Sequence, residues 1–395
     1  MTTNVNEQQL AVPWPSGDNL EPALVRAEFN EWLRREAAQL APFKSLPEGI
    51  DEQLATLAEL QRILFDSGWM RLGWPEAAGG LGGSPLLRAV IAEEMTRARY
   101  TIPFSFGVID ILAPAVIRFG DPALTAAMVP LVLRGDETWC QGFSEPDAGS
   151  DLGSLRTRAT PVDGGFLVNG QKVWTSWGHR ADRCLLLART GTPDDAHRGI
   201  TAFFVDIDQP GIAVRELRAM NGESEFAEIY FDDVFVPSER VLGEVGGGWA
   251  VTMHILAHER GAAAWQRGTW MLQRLEDLVE AIPGDLPADE RIGRIYAELY
   301  ALQLMSRRTL LDLAADRRVG PSTSIDKILL ATAEQSLFDA ALDLLPTQMF
   351  TGEDSTSNVW RNDYIYSRAA SIYGGTAEIQ RSIVAEHLLG LPKSS

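Results

Sequence analysis

The apolar rhythm of the chain changes twice, and that change limits what it can fold into. Up to about residue 135 apolar residues recur at helical spacing. From Trp139 to about Gly246 they fall in short runs separated by turn residues, and beyond that helical spacing returns. Leu54, Leu57, Leu60, Ile63 and Leu64 place one apolar stripe on a helix from Asp51 to Ser67, closed by Gly68. A charged helix is read from Glu21 to Leu40, after a polar, mobile start. Another runs from Pro85 to Arg97, behind a glycine-rich link from Gly73 to Gly83. Asp121 before Pro122 is an N-cap followed by proline at the first helical position, and Gly135 ends that helix.

In the middle third, Asp163-Gly164-Gly165 and Asn169-Gly170 are turn signals flanking strands from Phe166 to Val168 and Lys172 to Thr175. Further strands are expected at Cys184 to Arg189, Ile200 to Val205, Ile212 to Leu217 and Glu228 to Val236, which describes an antiparallel β domain. Long helices follow: Gly246 to Ile282 with Pro283-Gly284 after it, Asp289 to Arg318, Ser324 to Leu345, and a last one ending near Leu389 before Gly390. At 395 residues the chain needs more than one core. The expected class is therefore α+β multidomain: an N-terminal helical domain (1–135), a central antiparallel β domain (136–245) and a C-terminal helical bundle (246–395). No strand leads into GxGxxG and a helix, so no dinucleotide fold is read.

A net charge of −19 argues against nucleic acid as a partner. Cys140 and Cys184 are too few for a disulfide framework and suit a reducing cytoplasm. The N-terminus lacks a basic start and an apolar core, and no apolar run reaches membrane-spanning length, so a soluble cytoplasmic protein is expected.

Chemistry concentrates first at the seam between helices and strands, in the loop Ser144 to Asp151, SEPDAGSD. Gly149 and Ser150 would let backbone N–H groups approach a ligand, although an ordinary acidic turn has the same composition. Trp174 and Ser176 lie two apart on a strand and so share a side, offering a flat apolar wall beside a hydroxyl. His254 and His258 are four apart on a helix, but no third ligand motif accompanies them and no metal site is expected.

Five segments, in order, carry a resemblance: SEPDAGSD, NGQKVWTS (Asn169 to Ser176), FDDVFVPSERVLGEVGGGW (Phe231 to Trp249), HER (His258 to Arg260) and IYGGTAEIQR (Ile372 to Arg381). Together they resemble the acyl-CoA dehydrogenases, FAD-dependent enzymes that desaturate acyl thioesters, from about Leu54 to the C-terminus. The resemblance implies that Phe143, Ser144, Trp174 and Ser176 meet the flavin ring, and that Gly149 and Ser150 approach FAD or the substrate. It places Thr376 and Glu378 on the FAD diphosphate and adenosine side. Many relatives carry the catalytic glutamate in the C-terminal motif, where this chain has Gly374. Another branch, with isovaleryl-type, long-chain-type and actinobacterial sterol side-chain enzymes, carries it on the long middle helix before an arginine, which here implies Glu259 and Arg260. Glu259 would take the α-proton while the β-hydrogen leaves as hydride to flavin N5. Arg260 would contact the substrate, and the Gly374 N–H would help hold the thioester oxygen. Glu145, Asp147 and Asp151 are then turn and capping groups.

Family landmarks are missing in three places. No Arg-x-x-Phe-Gly follows Arg260, only Gly352 remains of the late glycine-rich segment in QMFTGEDS, and Ile365-Tyr366 replaces an Arg-Asp pair. The resemblance implies reoxidation by an electron-transfer flavoprotein and a homodimer or homotetramer, with a heteromeric assembly also open. Same-fold alternatives are action on a carrier-protein-bound acyl group, a flavin-dependent monooxygenase, and a structural subunit completing another chain's site.

Overall fold

The computed structural model describes residues 21–47, 49–103, 105–282, 290–317 and 319–393. The first expected segment, the link at Pro283-Gly284 and the ends at Asp289 and Arg318 lie outside them. Six helices come first: α1 (Glu21–Arg35), α2 (Ala37–Leu40), α3 (Ile50–Asp66), α4 (Leu86–Arg97), α5 (Ser105–Phe119) and α6 (Pro122–Arg134). The expected single helix to Leu40 breaks into two at Glu36, and α5 is additional. Helix α6 starts and stops as its sequence dictates: the Asp121 carboxylate accepts from Ala123 N at 2.8 Å, and Gly135 closes the end at φ +81°.

Eight strands follow: β1 (Trp139–Gly142), β2 (Arg158–Val162), β3 (Gly165–Ser176), β4 (Arg183–Arg189), β5 (Ile200–Asp206), β6 (Ile212–Leu217), β7 (Phe226–Pro237) and β8 (Val241–Leu242). They form one sheet in the order β6-β7-β3-β2-β4-β5-β8, with β1 beside β4. Two departures from the expected β domain have local causes. The sheet is mainly antiparallel, but β1 and β2 both pair with β4 in parallel. Asn169-Gly170 is no hairpin turn: β3 runs straight through it, with a register shift between Val168 and Gly170. There Asn169 exchanges hydrogen bonds with Asp233 instead, and a side chain at Gly170 would collide with Thr157.

Alternate residues of β4 face two cores. Leu185 and Leu187 join the core of the N-terminal helices, while Cys184, Leu186 and Ala188 pack against Phe203 and Val205 on the other face.

The C-terminal part is built from α7 (Gly248–His258), a π-helical turn (Glu259–Ala263), α8 (Ala264–Ala281), α9 (Glu290–Ala314), α10 (Thr323–Leu344), α11 (Ser355–Ser367) and α12 (Ala377–Ile383), with a π turn at Val384–Leu388 before Gly390. Helix α7, the π turn and α8 are continuous, as the sequence from Gly246 to Ile282 requires. A small apolar cluster of Leu86, Ala89, Ala262, Trp265 and Leu310 fastens α4 to this helix. The seam so formed holds the site.

Candidate functional site

A cavity of about 420 Å³ opens between α4, α5, the π turn, α8, α10 and the segment ending at Tyr373. Ala92, Ile102, Pro103, Ile111, Ala263 and Leu330 give it an apolar wall. Glu259 and Arg260 both line it. Consecutive residues on a regular helix point about 100° apart; the wider π turn that begins at Glu259 is where both meet one space.

Glu259 accepts no hydrogen bond from any described residue. Burial pushes its carboxyl above the usual glutamate range, against the pull of Lys327 and then Arg260. Opposite stands Gly374, at φ +64°. A Cβ built there would overlap Glu259 Oε1 and come within 3.4 Å of Lys327 Cε. The Glu259 carboxylate thus occupies the volume that a side chain at 374 would enter, which brings the two sequence candidates together across the chain.

Sequence reading missed Lys327. It is buried on α10, donates to Ala370 O at 2.7 Å, and lies over the Tyr373 ring at 3.7 Å. Burial lowers its pKa to about 8 despite Glu259 and Glu334 nearby. A lone lysine among the buried positions of α10, such as Leu330 and Leu337, was the available signal. Arg260 Nε is buried and has no partner among the described residues. Behind it, Asp326 accepts from Thr309 Oγ1 at 2.6 Å, and burial pushes its pKa up to about 7.

The loop at the seam is organised differently. Its buried Glu145 accepts from Arg156 N (2.6 Å), Thr157 N (2.9 Å) and Lys172 Nζ (2.8 Å), and Lys172 also donates to Phe143 O at 2.9 Å. Lys172 is 0% exposed, so the lysine of NGQKVWTS serves to pin this loop. Phe143 is buried, Ser144 half-buried, and Gly149 and Ser150 are exposed. A Cβ at Gly149 would meet nothing within 4 Å. Trp174 is 63% exposed and held at φ +58° where β3 shifts register against β7; Ser176 beyond it is half-buried, with Thr175 buried between them. The Trp174 indole meets the Phe226 ring edge-on at 5.9 Å and leaves most of its surface open; an exposed indole beside hydroxyls and open backbone fits a flat polar-edged ring such as a flavin.

Ser176 connects this shelf to the cavity: its hydroxyl favours the ionised form of the Glu225 carboxyl, which accepts from Tyr366 OH at 3.3 Å, and Tyr366 lines the cavity. Thr376 and Glu378 open α12. Thr376 Oγ1 caps Ile379 N at 3.3 Å, and Glu378 is exposed, 3.9 Å from Arg381. The structure thus joins Glu259, Arg260 and Gly374 directly, and Ser176 through two contacts. Among the described residues no side-chain hydrogen bond or ion pair runs from Thr376 or Glu378 to them. The His254 and His258 rings lie 4.4 Å apart, with His258 Nδ1 2.9 Å from His254 O, and burial lowers both to about 4.

Comparison with known proteins agrees with this layout. The N-terminal, middle and C-terminal domains of acyl-CoA dehydrogenase match residues 21–136, 140–234 and 246–389. The chain is 34% identical to acyl-CoA dehydrogenase IpdE1 of Mycobacterium tuberculosis over 378 residues, covering 94% of this chain and 98% of that one. It belongs to the acyl-CoA dehydrogenase family. It is also 36% identical to acyl-CoA dehydrogenase FadE34 of the same organism, over 94% of this chain and 52% of that one. Among solved structures, the Tcur3481-Tcur3483 steroid ACAD superposes with a TM-score of 0.78 at 27% identity, over 94% of this chain and 97% of that one. The protein is accordingly an FAD-dependent oxidoreductase that acts on acyl-CoA. No helix among the described residues is long and apolar enough to cross a membrane.

Proposed function

We propose that Glu259 is the base that removes the α-proton of the acyl-CoA, and that the cavity around it receives the acyl group. One observation carries this reading: a half-buried carboxylate without hydrogen-bond donors lies in a largely apolar cavity, against the Gly374 backbone. Such a group holds its proton more tightly than free glutamate and is a stronger base once ionised. The Gly374 N–H would bind the thioester oxygen as charge builds on it, a role that needs no side chain. Arg260 would orient the thioester beside it. Phe143, Ser144, Trp174 and Ser176 would hold the flavin ring, with Gly149 and Ser150 at its edge or at the substrate, and Thr376 and Glu378 on the diphosphate and adenosine side. When bound there, FAD supplies the acceptor for the β-hydrogen.

Reoxidation is proposed to run through an electron-transfer flavoprotein in the cytoplasm, where the two buried free cysteines would stay reduced. The assembly proposed is a homodimer or homotetramer. Pairing with a second chain is the alternative, supported by the solved relative whose name joins two components, Tcur3481 and Tcur3483.

Anaerobic titration of the yellow protein with a panel of acyl-CoAs tests the assignment. Flavin absorbance should fall with a matching thioester in the wild type and stay unchanged in Glu259→Gln. Undiminished bleaching by that variant would remove Glu259 from the role.

A further inference from the structure

Glu259, Arg260 and Lys327 explain one end of the cavity and leave its other end without a purpose. Arg267 stands eight residues beyond Glu259 on the same continuous helix, about 12 Å along the axis. Its Nε and Nη2 grip the fully buried Glu334 carboxylate at 3.1 and 2.6 Å. The guanidinium lies 3.9 Å from the Trp270 ring centre and 5.4 Å from that of Tyr366. Even so, 27% of the side chain remains open, Nη1 has no partner among the described residues, and the residue lines the cavity. Tyr366 stands beside it, its hydroxyl reaching Glu225 only at 3.3 Å. Gln266, also on this wall, is already committed to Asp110 at 2.9 Å.

An unbranched hydrocarbon tail pressed against this wall would strip water from Nη1 and give it nothing in return, which costs free energy. An oxygen acceptor at that depth would complete the guanidinium. A carboxylate is the poorer choice, because Glu334 already neutralises Arg267 and Glu225 stands close by. We propose that Arg267 and Tyr366 form a recognition site for a hydroxyl or keto oxygen on the acyl group. The substrate class is then an oxygenated acyl-CoA, with its oxygen roughly two helical turns from the carbon that loses the proton. This inference rests on the reading of the cavity as the acyl site.

Octanoyl-CoA, 8-hydroxyoctanoyl-CoA and suberoyl-CoA, which end in a methyl, a hydroxyl and a carboxylate, form a matched panel for the FAD-loaded protein. Dissociation constants from calorimetry and anaerobic flavin-reduction rates are measured separately. The hydroxylated ester should bind at least about tenfold more tightly than the other two. The double change Arg267→Met with Glu334→Gln, which removes both members of this ion pair together, should bring that ratio close to one. Tyr366→Phe, which keeps the ring over the guanidinium, should reduce it in part. Equal affinities in the wild type, a preference for suberoyl-CoA, or a preference that survives the double change would each overturn the inference. Failure of every ester to reduce the flavin would instead count against the dehydrogenase reading, while the affinity ratio would still decide what the wall recognises.

Discussion

Two glutamates in this molecule each stand beside a buried lysine, and their contrast separates scaffold from chemistry. Glu145 accepts two backbone N–H groups and the Lys172 ammonium. Burial alone would raise its pKa, but these partners hold it below the usual range. Glu259 faces Lys327 across the turn at Gly374, yet Lys327 is committed to the Ala370 carbonyl and the Tyr373 ring. Glu259 therefore keeps its burial cost, and its pKa moves up. A carboxylate with its lone pairs satisfied fixes a loop; one left short of donors retains the capacity to take a proton.

Exchanging the members of each pair should break or sharpen this contrast. The largest effect is expected at Glu259→Gln, where flavin reduction by acyl-CoA should slow at least about a thousandfold in stopped flow while the thermal midpoint holds or rises. Next comes Gly374→Ala. The new methyl overlaps the Glu259 carboxylate, and φ +64° disfavours any side chain, so a loss of about a hundredfold in reduction rate is expected with FAD still bound.

On the scaffold side, Lys172→Met leaves Glu145 buried without its cation. Denaturant unfolding should show a loss of about 3 kcal/mol, and FAD content should fall, with the reduction rate per bound flavin changed only a few-fold. The smallest effect is expected at Lys327→Met, where the pH profile of reduction carries the information. The ammonium favours the ionised base, so its removal should shift the acidic limb to higher pH. An alkaline change near pH 8, where Lys327 itself loses its proton, should disappear with it. An unshifted acidic limb would make Lys327 purely structural.

The sequence disclosed these regions unequally. Helix α6 could be placed from its cap and terminal glycine alone, because local hydrogen bonding decides its ends, and strand β6 from the short apolar run between turns, although its own bonds go to β7. Asn169-Gly170 misled because a turn dipeptide can equally serve a bulge when Asp233 supplies partners from the neighbouring strand. The loop at Ser144 advertised itself by composition, and its carboxylates drew attention that its chemistry does not warrant. Glu259 came into view through the HER segment and the glycine at 374, whereas the π turn beginning at Glu259 left no signature in the residues. Arg267 and Tyr366 were hidden more completely. Charged and aromatic residues at helical spacing read as surface, and only packing of α8 against α10 and α11 turns them toward a cavity.

Deuterium wash-out from the α-carbon of an acyl-CoA tests the central claim most directly, since it reports proton removal apart from any later electron transfer. The wild type should exchange, Glu259→Gln should not exceed the buffer rate, and Glu259→Gly combined with Gly374→Glu should recover part of the exchange, because a carboxylate grown from residue 374 enters the volume that Glu259 now fills. Exchange at the wild-type rate in Glu259→Gln would contradict the account and place the base elsewhere.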